Sequence, residues 1–304
     1  MTNSVAGYIG IDIGGTNLRG ALVLPTGEVV GRFRYKSAIT EGAKPFVERL
    51  AEEIIGQIAS AQKEGVQVGG VGIGIPGLIG GDGVIHSSVN MRPLEGLNLS
   101  HLLSSRVQLP VVSANDANLI ALGEARAGAG LGMKSLVVIT IGTGLGSGLI
   151  LDGRLWTGTG GFAAEFGHIT VEPEGLACPC GNKGCLEQYV SAAALSRYGE
   201  GRTPEELAEQ AREGEATACG AFETLGYWLG TALAGLTNTL NLDGIIIGGG
   251  VAAGYDLFAP VMLRTLEQRI FPQMFNQVTI SKSVLGDDAG LIGGALIASA
   301  KQAL

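Results

Sequence analysis

Basic side chains are scarce in this chain. The 304 residues hold 20 Lys and Arg against 28 Asp and Glu, a formal net charge of -8. No cluster of Lys or Arg offers a footprint for a polyanion, so no nucleic-acid partner is expected. Long hydrophobic runs are missing too. The mean hydropathy is +0.32, yet Gly, Thr and Asn interrupt every apolar stretch before it reaches membrane-spanning length, so no membrane partner is expected. The opening MTNSVAGYIGIDIGGT carries neither a basic leader nor a cleavable apolar segment, and the expected location is cytoplasmic. Pro- or Ser-rich linkers are absent, which predicts lobes packed closely about a cleft. Histidine and cysteine are few, three and four in all. Three of the cysteines and one histidine nevertheless fall between Phe166 and Cys185, and in a reducing compartment such clustering reads as metal binding before disulfides.

Glycine is what the chain has in excess, 51 residues, about twice the usual share. The glycines gather at the ends of apolar runs, and each gathering reads as a tight turn beside a ligand. YIGIDIGGTNLRGALVLPTGEVVGRFRY alternates apolar strands with turns at Gly14-Gly15-Thr16 and Pro25-Thr26-Gly27, an antiparallel meander. Phe46, Leu50, Ile54, Ile58 and Ala61 form a helical stripe within residues 45–62, and the strand VGGVGIGIPG follows. SLVVITIGTGLGSGLILDGRLW then repeats the opening grammar of buried strand, glycine turn with a Thr, second strand, turn and third strand. That repetition predicts two related lobes. A helix around TLGYWLGTALAGLTNTLN, a strand GIIIGGGV and a closing helix LIGGALIASAKQAL complete the chain.

The first glycine turn fits no common nucleotide fingerprint. No Lys-Ser or Lys-Thr follows the glycines, and a strand follows where the dinucleotide pattern needs a helix. What remains is a hairpin with bare amides, a Thr hydroxyl and Asp12 at the strand end. Such amides can cradle phosphate and such a carboxylate can hold Mg2+ through water, although an ordinary Gly-Gly hairpin has the same sequence. Gly142-Thr143-Gly144-Leu145-Gly146 repeats the design, and Gly248-Gly249-Gly250 ends a third buried strand. In this order the three turns resemble those of sugar kinases in the actin-like ATPase superfamily. There the first two grip phosphates and the third lies under adenosine.

His168, Cys178, Cys180 and Cys185 supply one imidazole and three thiolates, a set that suits a closed structural Zn2+ site. Cysteines packed in a core are the plain alternative. Cys219, on a helix among Ala and Phe, reads as core and is the rival to His168 for the fourth ligand position. Glu165 and Glu187 flank the cluster, and zinc would order a loop presenting both carboxylates and the imidazole to a substrate hydroxyl. Asn115 and Asp116 stand in SANDAN where a strand meets a helix. They read either as helix caps or as an amide and a general base for a hydroxyl nucleophile.

DIGGTNLR, SANDANLIALGE, IGTGLGSGLILDG, EFGHITV, CPCGNKGCLE, IIIGGGV and GDDAGLIGGAL together resemble the ROK family (repressor, open reading frame, kinase). The resemblance implies a duplicated ribonuclease H-like, two-lobed α/β fold with a central cleft. It divides the chain into a smaller lobe of residues 1–114 plus 291–304 and a larger lobe of 115–290. It implies transfer of phosphate from Mg2+-ATP to the primary hydroxyl of a hexose, glucose first, with zinc as structural ion and a homodimer or tetramer as assembly. Asp116 would be the base. Asn90, Asn115, Asp116, Glu165, His168 and Glu187 would bind the sugar. Asp12, Gly14, Gly15, Thr16, Asn17, Thr143, Gly144, Gly249 and Gly250 would surround ATP. VNMRPLEGLNL lacks the Trp common in glucokinase-like members, which leaves N-acetylhexosamines, fructose, mannose and allose open as alternatives. A sugar-sensing regulator is disfavoured because about seven residues precede the first strand, too few for a helix-turn-helix unit. A non-sugar ATPase would not need the Glu and His set.

Overall fold

A computed structural model of the chain describes residues 5–300. In chain order it runs β1 (Val5–Ile13), β2 (Asn17–Val23), β3 (Val29–Lys36), α1 (Ala43–Lys63), β4 (Val66–Ile75), the short pair β5 (Leu78–Ile79) and β6 (Ile85–Ser87), α2 (Leu99–Val107), β7 (Val111–Asn115) and α3 (Asp116–Ala127). It continues with β8 (Leu136–Ile141), β9 (Leu145–Leu151), β10 (Arg154–Leu155), α4 (Ala192–Tyr198), α5 (Pro204–Arg212), α6 (Ala216–Leu240), β11 (Gly244–Gly248), α7 (Tyr255–Glu267), α8 (Pro272–Phe275), β12 (Thr279–Lys282) and α9 (Asp288–Ala300). The chain divides into a first unit of residues 1–132, 148–163 and 284–304 and a second of 133–147 and 164–283.

In the first unit the sheet order is β3-β2-β1-β4-β7. β1 and β2 pair antiparallel, as do β2 and β3, whereas β4 runs parallel to both β1 and β7. The three antiparallel strands are the expected meander. β4 lies inside the sheet, parallel to both its neighbours, and its last six residues, from Gly70 to Ile75, are all buried. α1 covers this sheet with Phe46, Val47, Leu50, Ala51 and Ile54, the predicted stripe with its i+1 neighbours. At the edge, α2 lays two hydroxyls along β7. Ser104 Oγ accepts from Val111 N–H at 3.0 Å and Ser100 Oγ from Ser113 N–H at 2.8 Å.

α9 belongs to this unit and packs on β1, β4 and α3. Its approach is closer than any side chain allows. A β-carbon on Gly72 would lie 1.8 Å from Gly294 O, and one on Gly293 would lie 1.8 Å from Leu119 O. These glycines therefore serve backbone-to-backbone packing inside a strand and a helix, and not the ligand turns that glycine gatherings predict from sequence. The same contacts move a boundary. α3 is held against α9, so the division falls after Gly132 and Asn115 and Asp116 lie in the first unit, and not after residue 114 as expected from sequence. The predicted final helix ends within the described residues at Ala300, and its residues 301–304 lie outside them.

The second sheet has the order β10-β9-β8-β11-β12, with β11 parallel to β8 and β12. Numbered from its own first strand, β8, this is the 3-2-1-4-5 order of the first sheet. The repeated grammar in the sequence is thus a repeated topology. β8 and β11 are apolar because neighbours cover them on both faces. α6 and α7 make the largest helix–helix contact of the second unit.

Candidate functional site

In the first unit, the turn between β1 and β2 is closed by Gly14 N–H donating to Asn17 O at 2.8 Å. Ser37 braces it from β3's end, its N–H on Thr16 O at 3.0 Å and its hydroxyl on Gly15 O at 2.7 Å. Sequence reasoning missed Ser37, whose role shows only once β2 and β3 are paired. A β-carbon on Gly15 would lie 3.3 Å from Asn90 Cβ, so a sugar-binding candidate stands beside the first glycine turn. Asp12 faces Arg19 across the strand pair, and both Arg19 Nε and Nη2 reach Asp12 Oδ2, at 2.9 and 2.8 Å. Arg19 Nη1 meets Asp287 at 2.5 Å. Both Arg19 contacts to Asp12 thus fall on the same oxygen.

Asn115 and Asp116 close the parallel strand β7 and open α3. Asn115 Oδ1 accepts from Asn118 N–H at 3.1 Å, an N-cap, and its amide donates to Gly77 O at 3.1 Å. Asp116 is the first residue of the helix, half-buried, with Oδ1 on Ala117 N–H at 2.9 Å. The cap alternative thus describes Asn115, and Asp116 follows it in the first turn of the helix. A cavity of about 370 Å³ opens beside Asn115, lined by Ser100, His101 and Thr157 among others, and it includes neither Asp116 nor Asn90.

The second unit brings the remaining candidates together. His168, Cys178, Cys180 and Cys185 offer ligand atoms all within 4.8 Å of one another. Cys180 Sγ lies 3.6 Å from Cys185 Sγ and Cys178 Sγ lies 3.8 Å from His168 Nδ1. Ligands of a tetrahedral zinc–thiolate site are about 3.8 Å apart, given Zn–S bonds of about 2.3 Å, so the donor set fits zinc. Cys219 is elsewhere, on α6 with its thiol on Ala211 O, and drops out as a ligand. Burial pushes the Cys185 thiol up to about 12 in the metal-free protein, whereas a backbone hydrogen bond from Asn182 lowers that of Cys180.

The other imidazole nitrogen, Nε2, points to Glu165 at 4.0 Å. Burial raises the Glu165 carboxyl above its usual range, with His168 opposing the rise and Glu187 adding to it. Glu187, two residues past Cys185, accepts from Leu145 N–H through Oε2 at 2.8 Å. It therefore touches the second glycine turn directly. The third turn abuts the end of β8 that leads into the second, because β11 lies parallel beside β8. Gly249 has φ +84°, and a β-carbon there would meet Ile141 backbone at 2.4 Å.

Two five-stranded sheets of one strand order, each with a glycine turn between its first two strands, define an actin-like ATPase fold. Residues 8–301 match the ROK family, and the chain belongs to it. It is 34% identical over 308 residues to a glucokinase of Halalkalibacterium halodurans, covering 94% of this chain and 93% of that protein. It is 30% identical over 312 residues to a xylose repressor of Caldicellulosiruptor bescii, covering 96% of this chain and 78% of that one. Among solved structures, a ROK family glucokinase from Streptomyces griseus in complex with glucose and AMPPNP aligns with a TM-score of 0.80 at 34% identity, covering 97% of this chain and 99% of the other.

Proposed function

We propose that the protein is an ATP-dependent hexose kinase acting on the primary hydroxyl, with glucose as substrate. The observation that carries this reading is the attachment of Glu187 to the second glycine turn. A cluster of hydroxyl-binding groups, Glu165, His168 and Glu187, is built onto a turn whose backbone suits phosphate. Several polar groups that each go unpaired with the wrong epimer are what hexose selection requires.

In the reaction the hydroxyl oxygen forms a bond to the γ-phosphorus, the β–γ bridging P–O bond breaks, and ADP leaves. Asp116 accepts the hydroxyl proton. Asn90, Asn115, Glu165, His168 and Glu187 are the residues assigned to the other hydroxyls. The turns at Gly14–Asn17, Thr143–Gly144 and Gly249–Gly250 take the nucleotide, with Asp12 toward hydrated Mg2+, which supplies charge neutralisation on the phosphates. His168, Cys178, Cys180 and Cys185 hold a structural zinc that shapes the loop without entering the chemistry. Cytoplasmic location and a homodimer or tetramer belong to the same proposal on family grounds alone.

The test is ADP release with Mg2+-ATP across glucose, mannose, fructose, allose, N-acetylglucosamine and N-acetylmannosamine. Strong glucose preference is expected, and preference for another sugar replaces the substrate while keeping the kinase. The similarity to a xylose repressor supports a second reading, a sugar-sensing regulator. It would take over if a sugar bound and no ADP appeared.

A further inference from the structure

Glu187 sits in a short 3-10 helix, Leu186–Gln188, that begins immediately after the metal-cluster residue Cys185. Two bonds join this segment to the second glycine turn. Glu187 Oε2 accepts from Leu145 N–H at 2.8 Å, and five residues on, Ala192 N–H donates to Gly142 O at 2.8 Å. Inside the turn, Gly142 N–H donates to Gly144 O at 2.9 Å. The seat for the carboxylate exists because residue 144 has no side chain. A β-carbon there would lie 2.3 Å from Oε2 and 3.2 Å from Cδ of Glu187.

We infer that Glu187 is a positioning residue for the nucleotide, a strut through which the Cys/His loop sets the conformation of the second phosphate turn. One carboxylate thus serves both substrates, Oε2 holding the turn and Oε1 left for a sugar hydroxyl. This rests on the proposed reading of Gly142–Gly146 as a phosphate turn. With the Gly142 and Leu145 amides already engaged, the groups that meet phosphate are those of Thr143 and Gly144, and their direction is fixed by the strut. A hydrogen-bond acceptor at this position is the requirement, and negative charge is not. A carboxylate near a triphosphate is electrostatically unfavourable, so an amide that keeps the acceptor should hold the turn at least as well.

The test is calorimetric titration of the full-length, metal-loaded protein with Mg2+-AMPPNP and, separately, with glucose, zinc content being measured for every variant. Glu187→Ala should weaken AMPPNP about tenfold, the effect of losing a hydrogen bond to a charged group, and should weaken glucose as well. Glu187→Gln should restore AMPPNP affinity to the wild-type level or above while glucose binding stays impaired. Gly144→Ala, which keeps Glu187 and the metal ligands in the chain but fills the carboxylate's seat, should reproduce the AMPPNP loss. Thr143→Val separates the premise from the inference. If Thr143→Val weakens AMPPNP and Glu187→Ala does not, the strut is wrong and the phosphate turn stands. If neither weakens it, the strut and any role of the Thr143 hydroxyl are both overturned. If Glu187→Ala fails to fold, Glu187→Gln still decides, because equal loss of both ligands in a zinc-replete protein contradicts a strut that needs only an acceptor.

Discussion

Ala164 carries a side chain where the backbone is left-handed, at φ 71°, one residue before Glu165. Its carbonyl accepts from the Ser147 hydroxyl and, at 2.8 Å, from Phe166 N–H, which forms a tight three-residue turn with Glu165 at its centre. That backbone costs a residue with a β-carbon about 1–2 kcal/mol, and the extra unfolded-state freedom of glycine takes back about 0.5–1 kcal/mol. Ala164→Gly is therefore expected to stabilise the protein by about 0.5–1 kcal/mol, read as a higher urea midpoint. An unchanged or lower midpoint would show that no strain is held there. At Asp116 the expectation concerns rate. Asparagine can keep the bond from Ala117 N–H through its own oxygen, so Asp116→Asn should fold and bind glucose normally while kcat falls about 10²–10⁴-fold. Normal turnover in that variant would sink the base assignment. The residues most legible in the sequence were those whose partners are near in sequence. His168, Cys178, Cys180 and Cys185 announce one another by spacing, whereas Ser37 serves Gly15 and Thr16 from about twenty residues away.

α9 shows why whole elements are harder to read. Its helical character follows from its sequence, but its place does not, because glycines meeting backbone across the chain leave no periodic signal. Only the packed structure shows that Gly72 and Gly294 face each other, and the same contacts keep α3 and Asp116 in the first unit. The N-terminus of α9 is also tied electrostatically. Asp288, in the first turn, forms a two-pronged pair with Arg32 of β3, and this hydrogen bonding holds its carboxyl below the usual carboxylate range. A carboxylate depressed in the folded state adds stability that is present above its unfolded pKa, about 3.9, and is lost as pH falls through the lower folded value. Arg32→Ala should accordingly lower the urea midpoint at pH 6, by at most about 1 kcal/mol for so exposed an arginine. The gap to the wild type should close as pH falls below about 4. A gap constant down to pH 3 would assign the effect to packing.

For the whole molecule, duplication was legible because strand, turn and strand recur in sequence, and both sheets carry the 3-2-1-4-5 order. The assignment of segments to units was not, since residues 148–163 and 284–304 return to the first unit from distant parts of the chain. The metal loop is the global feature with the clearest outcome. Cys180→Ala, which leaves three of the four donors, should lower bound zinc per protomer in elemental analysis and weaken glucose binding in parallel. Full sugar affinity in a zinc-free variant would separate the loop's order from the metal.

The two hydroxyls that α2 lays along β7 have a consequence for how this protein meets its neighbours in a crowded solution. An exposed strand edge is a template on which another chain can add a strand. Here the amides of Val111 and Ser113 are already occupied by Ser104 and Ser100. The opposite edge, β3, turns Arg32, Arg34 and Lys36 outward between Phe33 and Tyr35. Two amides of one edge are thus occupied by side chains, and the other edge carries the cations Arg34 and Lys36 beside an Arg32 paired with Asp288, both devices that work against adding a further strand.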